Sequence, residues 1–316
     1  MVAALAAESS TPVVLGYKLC LTSAASMCAE GVTYPIDLTK TRMQLQGEAG
    51  FKGGNFLGAN FKFFGMARNV VKTEGVAGLW SGMTPALARH IPYTGFRTIG
   101  YEVRTPPRSP RTNHAPFYAK ALAGMTAGGI GQAIAVPLDL IKVRMQGDGR
   151  LVAAGRLIQP RYSGLMDAFA KIKADEGIIG FYKGAGPAIQ RAALVNLGEL
   201  VTYDSAKNAF VENLSLSRDD MRCHLLSAFC SGFVVSLFST PADVAKSRIM
   251  NQKRGPGGSL LYRNTLHCWV TTVNEEGFLA LYKGFFPAWL RLAPWQLVFW
   301  LTYERLRIVA GIGSFK

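Results

Sequence analysis

Pro35-Ile36-Asp37-Leu38-Thr39-Lys40-Thr41-Arg42 returns twice along the chain. The second copy is Pro137-Leu138-Asp139-Leu140-Ile141-Lys142-Val143-Arg144, and the third is Pro241-Ala242-Asp243-Val244-Ala245-Lys246-Ser247-Arg248. Each copy is followed by the same three signals. The first is Glu74-Gly75 with Trp80-Ser81-Gly82, then Glu176-Gly177 with Tyr182-Lys183-Gly184, then Glu276-Gly277 with Tyr282-Lys283-Gly284. The second is Pro85-Ala86 with Arg89, Pro187-Ala188 with Arg191, and Pro287-Ala288 with Arg291. The third is an aromatic–acid pair, Tyr101-Glu102, Tyr203-Asp204 and Tyr303-Glu304. Four motifs in one order, three times over, define an internal repeat. The chain reads as a single domain over residues 1–316, built from units near 13–108, 114–212 and 219–311.

Composition narrows what such a repeat can be. Hydrophobic residues are 49% of the 316 and charged residues 17%, with a net charge of +15. Mean hydropathy is +0.16. The apolar content excludes a disordered chain. The basic residues recur at matching places in the units rather than gathering on one face, which argues against nucleic-acid binding. Cys20, Cys28, Cys223, Cys230 and Cys268 form no C-x-x-C, and His90, His114, His224 and His267 do not group with them. A metal centre or disulfide scaffold is therefore not expected, and no nucleophile–base pair points to an enzyme. The first residues carry Glu8 and no Arg, so neither a secretory signal nor an Arg-rich transit peptide is expected.

Each unit predicts two long helices with a short one between. The stretches 16–34, 117–136 and 223–240 precede the first motif, and 85–104, 187–207 and 287–309 follow the third. About 20 residues cross the hydrocarbon core of a bilayer, which makes six candidate transmembrane helices. None is an uninterrupted apolar run, so one face of each must look onto something wet. Gly124 and Gly128 suit close helix packing. Pro35, Pro137 and Pro241 predict kinks, and Pro85, Pro187 and Pro287 suit the first helical position. Residues 167–175 and 265–274 read as short surface helices, and 147–155 and 254–258 as loops.

The tripled Pro-x-Asp-x-x-Lys-x-Arg motif, with Glu-Gly and aromatic-x-Gly behind it, resembles the mitochondrial carrier family over about residues 15–310. The runs from Arg191 to Asp204 and from Thr240 to Gln252 resemble its uncoupling-protein subgroup, and within it the neuronal, type-four branch. The resemblance implies an all-α bundle of six transmembrane helices with pseudo-threefold symmetry and short matrix surface helices. It also implies a multi-pass protein of the inner mitochondrial membrane with alternating access to one central site, and a monomer.

The family pattern assigns two gates. The matrix gate pairs each acid with the next unit's base: Asp37 with Lys142, Asp139 with Lys246, and Asp243 with Lys40. Gln44 and Gln146, four residues past Lys40 and Lys142, resemble the family's glutamine braces. The third unit has Met250 there, which predicts an easier opening. The cytoplasmic-side gate resembles aromatic–acid–x–x–base. Asp204 with Lys207 and Glu304 with Arg307 fit it, giving arms Lys207–Glu304 and Arg307–Glu102. The first unit places Arg104 one residue early and Pro106 and Pro107 behind it, so the arm to Asp204 lacks its base. Its loop also departs: Phe61 to Gly65 lacks the aromatic-x-Gly of Tyr162 and Gly164, and the third unit has Asn264 in place of the glycine.

Between the gates stand Arg89, Arg191 and Arg291 at one register. Three guanidinium forks in a water-filled cavity suit carboxylate or phosphate oxygens, or they form interhelix salt bridges. Arg97 and Glu199 lie eight residues beyond Arg89 and Arg191, higher in the cavity. Trp295 shares the face of Arg291, where it either packs or stacks on a nucleotide base. Glu30, seven residues before Asp37, is the odd acid, because the matching positions are Gln132 and Ser236. It either partners an arginine or, as the resemblance implies, serves proton transport. Lys183-Gly184 and Lys283-Gly284 open helices whose N-terminal amides suit anions. The resemblance makes these cardiolipin sites; the other reading is solvated surface charge. It also implies a purine nucleotide as inhibitor. Three functions follow: an uncoupling-type transporter of protons and small anions, a C4-dicarboxylate exchanger (succinate, malate or oxaloacetate), or a membrane adaptor that carries nothing.

Overall fold

The computed structural model describes residues 12–45, 63–92, 117–153, 155, 157–214, 221–252 and 260–310. Helix α1 is Pro12–Gln44, α2 Phe63–Glu74 and α3 residues 83–92. Helices α4 (Phe117–Ala153), α5 (Leu165–Gly180) and α6 (Ala185–Leu214) form the second unit. Helices α7 (Met221–Asn251), α8 (Thr265–Glu276) and α9 (Phe285–Val309) form the third. No strand occurs among the described residues.

The first helices of the three units, α1, α4 and α7, touch one another pairwise, and α9 packs along α1 to close the ring. Every long helix therefore has a side turned to a shared axis. That axis is where the repeated Asp and Lys residues of α1, α4 and α7 stand, so polar residues interrupt those three helices. Among the described residues no helix is both long and apolar enough to be recognised as a membrane span. The apolar faces lie outside, where Phe229, Phe238, Leu297 and Trp300 are exposed.

The prolines of the first motif sit inside continuous helices rather than near their ends. Pro35 has no N–H, so the Gly31 carbonyl four residues earlier loses its helical donor. Trp80 Nε1 supplies it from outside at 3.0 Å. Pro85, Pro187 and Pro287 are the third residues of their helices, not the first. First-turn N–H groups have no helical acceptor, so the missing donor costs nothing there. The expected loop at 147–155 is helix as far as Ala153. Side chains compensate the glycines: buried Asp148 holds Arg161, and Arg150 donates to the Leu45 carbonyl.

The surface helices α2, α5 and α8 each bury one equivalent residue, Val70, Ile172 and Thr272. The Glu-Gly motif ends them or breaks them. Gly75, Gly177 and Gly277 have φ of 77°, 70° and 86°, a left-handed conformation that other residues adopt only with strain. In α5 the turn falls inside the assigned helix, at Gly177.

Candidate functional site

Each aspartate of the first motif lies on its own helix in reach of both other units. Lys142 Nζ stands 2.5 Å from Asp37, Lys246 Nζ 2.6 Å from Asp139 and Lys40 Nζ 2.6 Å from Asp243. These are the three cyclic pairs that the family resemblance implies. The arginines expected to await an anion are on the same acids. Arg291 is 2.9 Å from Asp37 and Arg89 3.0 Å from Asp139, while Arg191 bonds Asp243. Every aspartate thus takes a lysine from one neighbouring unit and an arginine from the other. A buried acid with two cations satisfies both carboxylate oxygens, which a single ammonium would not.

The two kinds of cation differ in depth. The arginine side chains keep 20%, 28% and 21% of their surface, the lysines only 10–11%. The arginines therefore form the wet rim and the lysines the dry floor. A cavity of about 80 Å³ lies among them. Its charged lining is six cations and four carboxylates, an excess of two positive charges.

The fourth carboxylate is Glu30, which breaks the symmetry. Lys142 Nζ lies 2.9 Å from it and Arg291 Nη1 3.4 Å. Both cations also hold Asp37, so two acids and two bases alternate in a closed ring. In the second unit Gln132 donates to Asp139 at 2.7 Å and adds no charge. In the third the matching residue is Ser236, which carries no charge. His90 is the residue that spacing alone overlooks. It is 4% exposed, and its Nε2 lies 3.7 Å from Glu30.

Below the ring the braces work sideways. Gln44 accepts from Ser247 Oγ at 2.7 Å, and Gln146 donates to Tyr34 Oη at 2.9 Å. Tyr34 in turn donates to the Ser81 carbonyl, and Lys142 lies over its ring. Met250 replaces the polar brace with packing against Gly184, where an added Cβ would meet its Cγ at 2.6 Å. The same added atom would meet Gln44 Cγ at 3.1 Å from Gly284 and Gln146 Cγ at 3.5 Å from Gly82, looser contacts of the same kind. The glycine of the aromatic-x-Gly motif is thus where the next unit's brace packs.

A second set of ion pairs, not singled out by spacing, joins two of the repeated motifs. Arg42, Arg144 and Arg248 are almost wholly buried. They stand 2.5, 2.9 and 2.6 Å from Glu74, Glu176 and Glu276. Each also donates through Nε to the main-chain carbonyl of the next unit's brace: Gln146, Met250 and Gln44. The Gln44 and Met250 carbonyls lie in the last turns of α1 and α7, where helical donors are missing, whereas Gln146 stands inside α4. Lys183 and Lys283 turn inward to the same glutamates, Lys183 at 2.6 Å. Their charge is thus spent within the fold, not offered on the surface. Burial pushes the Glu176 and Glu276 carboxyls up. The hydrogen bonds and charges of Arg144 with Lys183, and of Arg248 with Lys283, outweigh it and hold both below the usual value. The first unit has Ser81 for the lysine, leaving Glu74 to Arg42.

Trp295 stacks on Phe299, with centroids 5.3 Å apart, and Phe299 stacks on Tyr303. One face of the indole is therefore already covered. Arg97 and Glu102 lie outside the described residues, as do the side chains of Glu199 and Asp204. Lys207, Glu304 and Arg307 sit half-buried on the later turns of α6 and α9.

The family model described as mitochondrial carrier protein matches residues 12–104, 113–214 and 217–311. Mitochondrial uncoupling protein 3 of Arabidopsis thaliana is 48% identical over 306 residues, which cover 95% of this chain and 96% of the relative. Dicarboxylate carrier UCP2 of Danio rerio is 37% identical over 287 residues, 90% and 88% of the two chains. Mitochondrial uncoupling protein 4C of Drosophila melanogaster is 36% identical over 292 residues, 91% and 85% of the two chains.

Proposed function

The chain belongs to the mitochondrial carrier family, and we propose that within it the protein moves small anions and protons in the uncoupling manner. It is a multi-pass protein of the mitochondrial inner membrane, and the members of the family are transporters rather than enzymes.

One observation carries the finer reading: three arginines on the wet rim each hold a gate aspartate. An entering carboxylate or phosphate is a competitor for those forks. When it takes an arginine, the aspartate behind keeps only its lysine. Part of the anion's binding energy thus goes into loosening the ring beneath it. The ring ties α1, α4 and α7 together, so its loosening lets those ends part. Release on the far side returns the arginines to the acids and closes the floor. Alternating access follows from one set of cations with two rival partners.

A second reading, exchange of C4 dicarboxylates, is favoured by the excess of two positive charges, which one dianion would neutralise. The Danio rerio relative is named a dicarboxylate carrier. Purine nucleotides fit as inhibitors, with phosphates on the arginines and the base toward the open face of Trp295. Cardiolipin phosphate fits the main-chain N–H groups after Gly184 and Gly284, since the neighbouring lysines face inward. A monomer suffices, because the ring closes within one chain.

Reconstitution in cardiolipin liposomes tests the choice. The uncoupling reading expects fatty-acid-dependent proton flux that GTP blocks. Labelled succinate uptake that requires internal dicarboxylate or phosphate would favour exchange instead. No flux above empty liposomes would contradict both.

A further inference from the structure

We propose that His90 is a proton-handling partner of Glu30, and that proton uptake by this pair releases Arg291 to the transported anion. The inference rests on the carrier reading above and adds to it a residue and a coupling.

The geometry is specific. His90 Nε2 is buried, makes no hydrogen bond and lies 3.7 Å from Glu30 Oε2. A hydrogen bond needs about 2.7–3.2 Å, so a small side-chain shift joins the two groups. A buried imidazole nitrogen left unbonded is costly, and Glu30 is the acid within reach of it. The groups facing the pair come from every helix around it. Asp37 stands on α1 with Glu30, Arg89 on α3 with His90, Lys142 on α4 and Arg291 on α9.

The repeat supplies a second, independent observation. The residues matching Glu30 are Gln132 and Ser236, and those matching His90 are Ala192 and Leu292. The acid and the imidazole are each peculiar to the first unit, and the fold places them side by side. The other two arms have neither.

The charge balance says what the pair does. Without an added proton, Glu30 and Asp37 balance Lys142 and Arg291. A proton from cavity water that settles on Glu30 removes one of the two carboxylates on Arg291. Arg291 Nη1 then holds Asp37 alone, and an anion oxygen has one rival fewer for the guanidinium. A proton held on His90 Nε2 is within reach of that transfer. Imidazole is the side chain whose unperturbed proton exchange lies nearest neutral pH, the range in which the coupling is tested. Anion and proton then enter together on one arm.

The full chain in cardiolipin liposomes, with labelled succinate and a pH-reporting dye, tests this from about pH 6 to 8. Anion uptake by the wild type is expected to rise at least about fivefold toward the acid end. His90→Gln, which keeps a donor but cannot take up a proton, flattens that rise to less than about twofold. His90→Asn does the same and stands in if the glutamine variant does not melt cooperatively. The double variant with Glu30→Gln loses no more than Glu30→Gln alone. A wild-type pH profile in both His90 variants would overturn the proposal, as would multiplying losses in the double variant. Absence of any anion uptake by the wild-type chain would strike the carrier reading itself and take the coupling with it.

Discussion

Arg191→Ala is expected to lower anion flux by about a hundredfold, since a hydrogen bond to a charged group contributes roughly 1.5–3 kcal/mol. Arg191 is the wettest of the three arginines and bonds Asp243, which Lys40 also holds. Removing it takes away a ligand for the anion and leaves the gate pair in place. The floor should therefore stay closed while the anion loses a contact. Arg191→Lys should recover only part of the loss, because an ammonium cannot span two oxygens in the fork geometry. Flux of labelled succinate, or of protons with fatty acid, reads the effect, and a melt in detergent separates it from unfolding. Flux within about twofold of wild type would make the arginine a mere interhelix strut.

The second large effect concerns the gate. Reversing one pair, Asp139→Lys with Lys246→Asp, would ordinarily restore a salt bridge. Here it should not. Asp139 also accepts from Arg89 at 3.0 Å and from Gln132 at 2.7 Å. A lysine at 139 would face Arg89 across that gap, and the aspartate at 246 would stand below the rim. The ring gains one repulsive contact for the attractive one it regains. Breaking a buried pair costs about 3–5 kcal/mol, and the swap should recover little of it. The expected melting temperature of the swap is close to that of Asp139→Lys alone, with flux still impaired. A swap as stable and active as wild type would mean that Arg89 does not share the acid.

Much of this was legible from spacing. The tripled first motif marks the three aspartates and three lysines, the family resemblance supplies their cyclic pairing, and the ion pairs fall on those partners. Two kinds of feature were not legible. The first is sharing: the register leaves Arg89, Arg191 and Arg291 either to an anion or to interhelix salt bridges, and it does not say that the partners are the gate acids. The second is what departs from the repeat. His90 follows a repeated arginine, yet it has no copies to mark it. Residues 147–153 look like a glycine loop, but the Asp148–Arg161 ion pair and the hydrogen bond from Arg150 to the distant Leu45 carbonyl accompany a helix there. The Arg42–Glu74 class of pair could have been found, because both members recur three times. It was hidden by lying in two different motifs.

The account stands on rivalry between the gate acids and the anion for the same arginines. Asp139→Asn together with Lys246→Gln removes one gate pair without changing the net charge of the cavity. It also takes the Asp139 carboxylate away from Arg89. Calorimetric titration of succinate into this variant and into wild type measures the rivalry directly. The account predicts binding about tenfold tighter in the variant, the equivalent of roughly 1.4 kcal/mol. Equal or weaker binding would show that the aspartates do not compete with the anion, and the mechanism would be wrong.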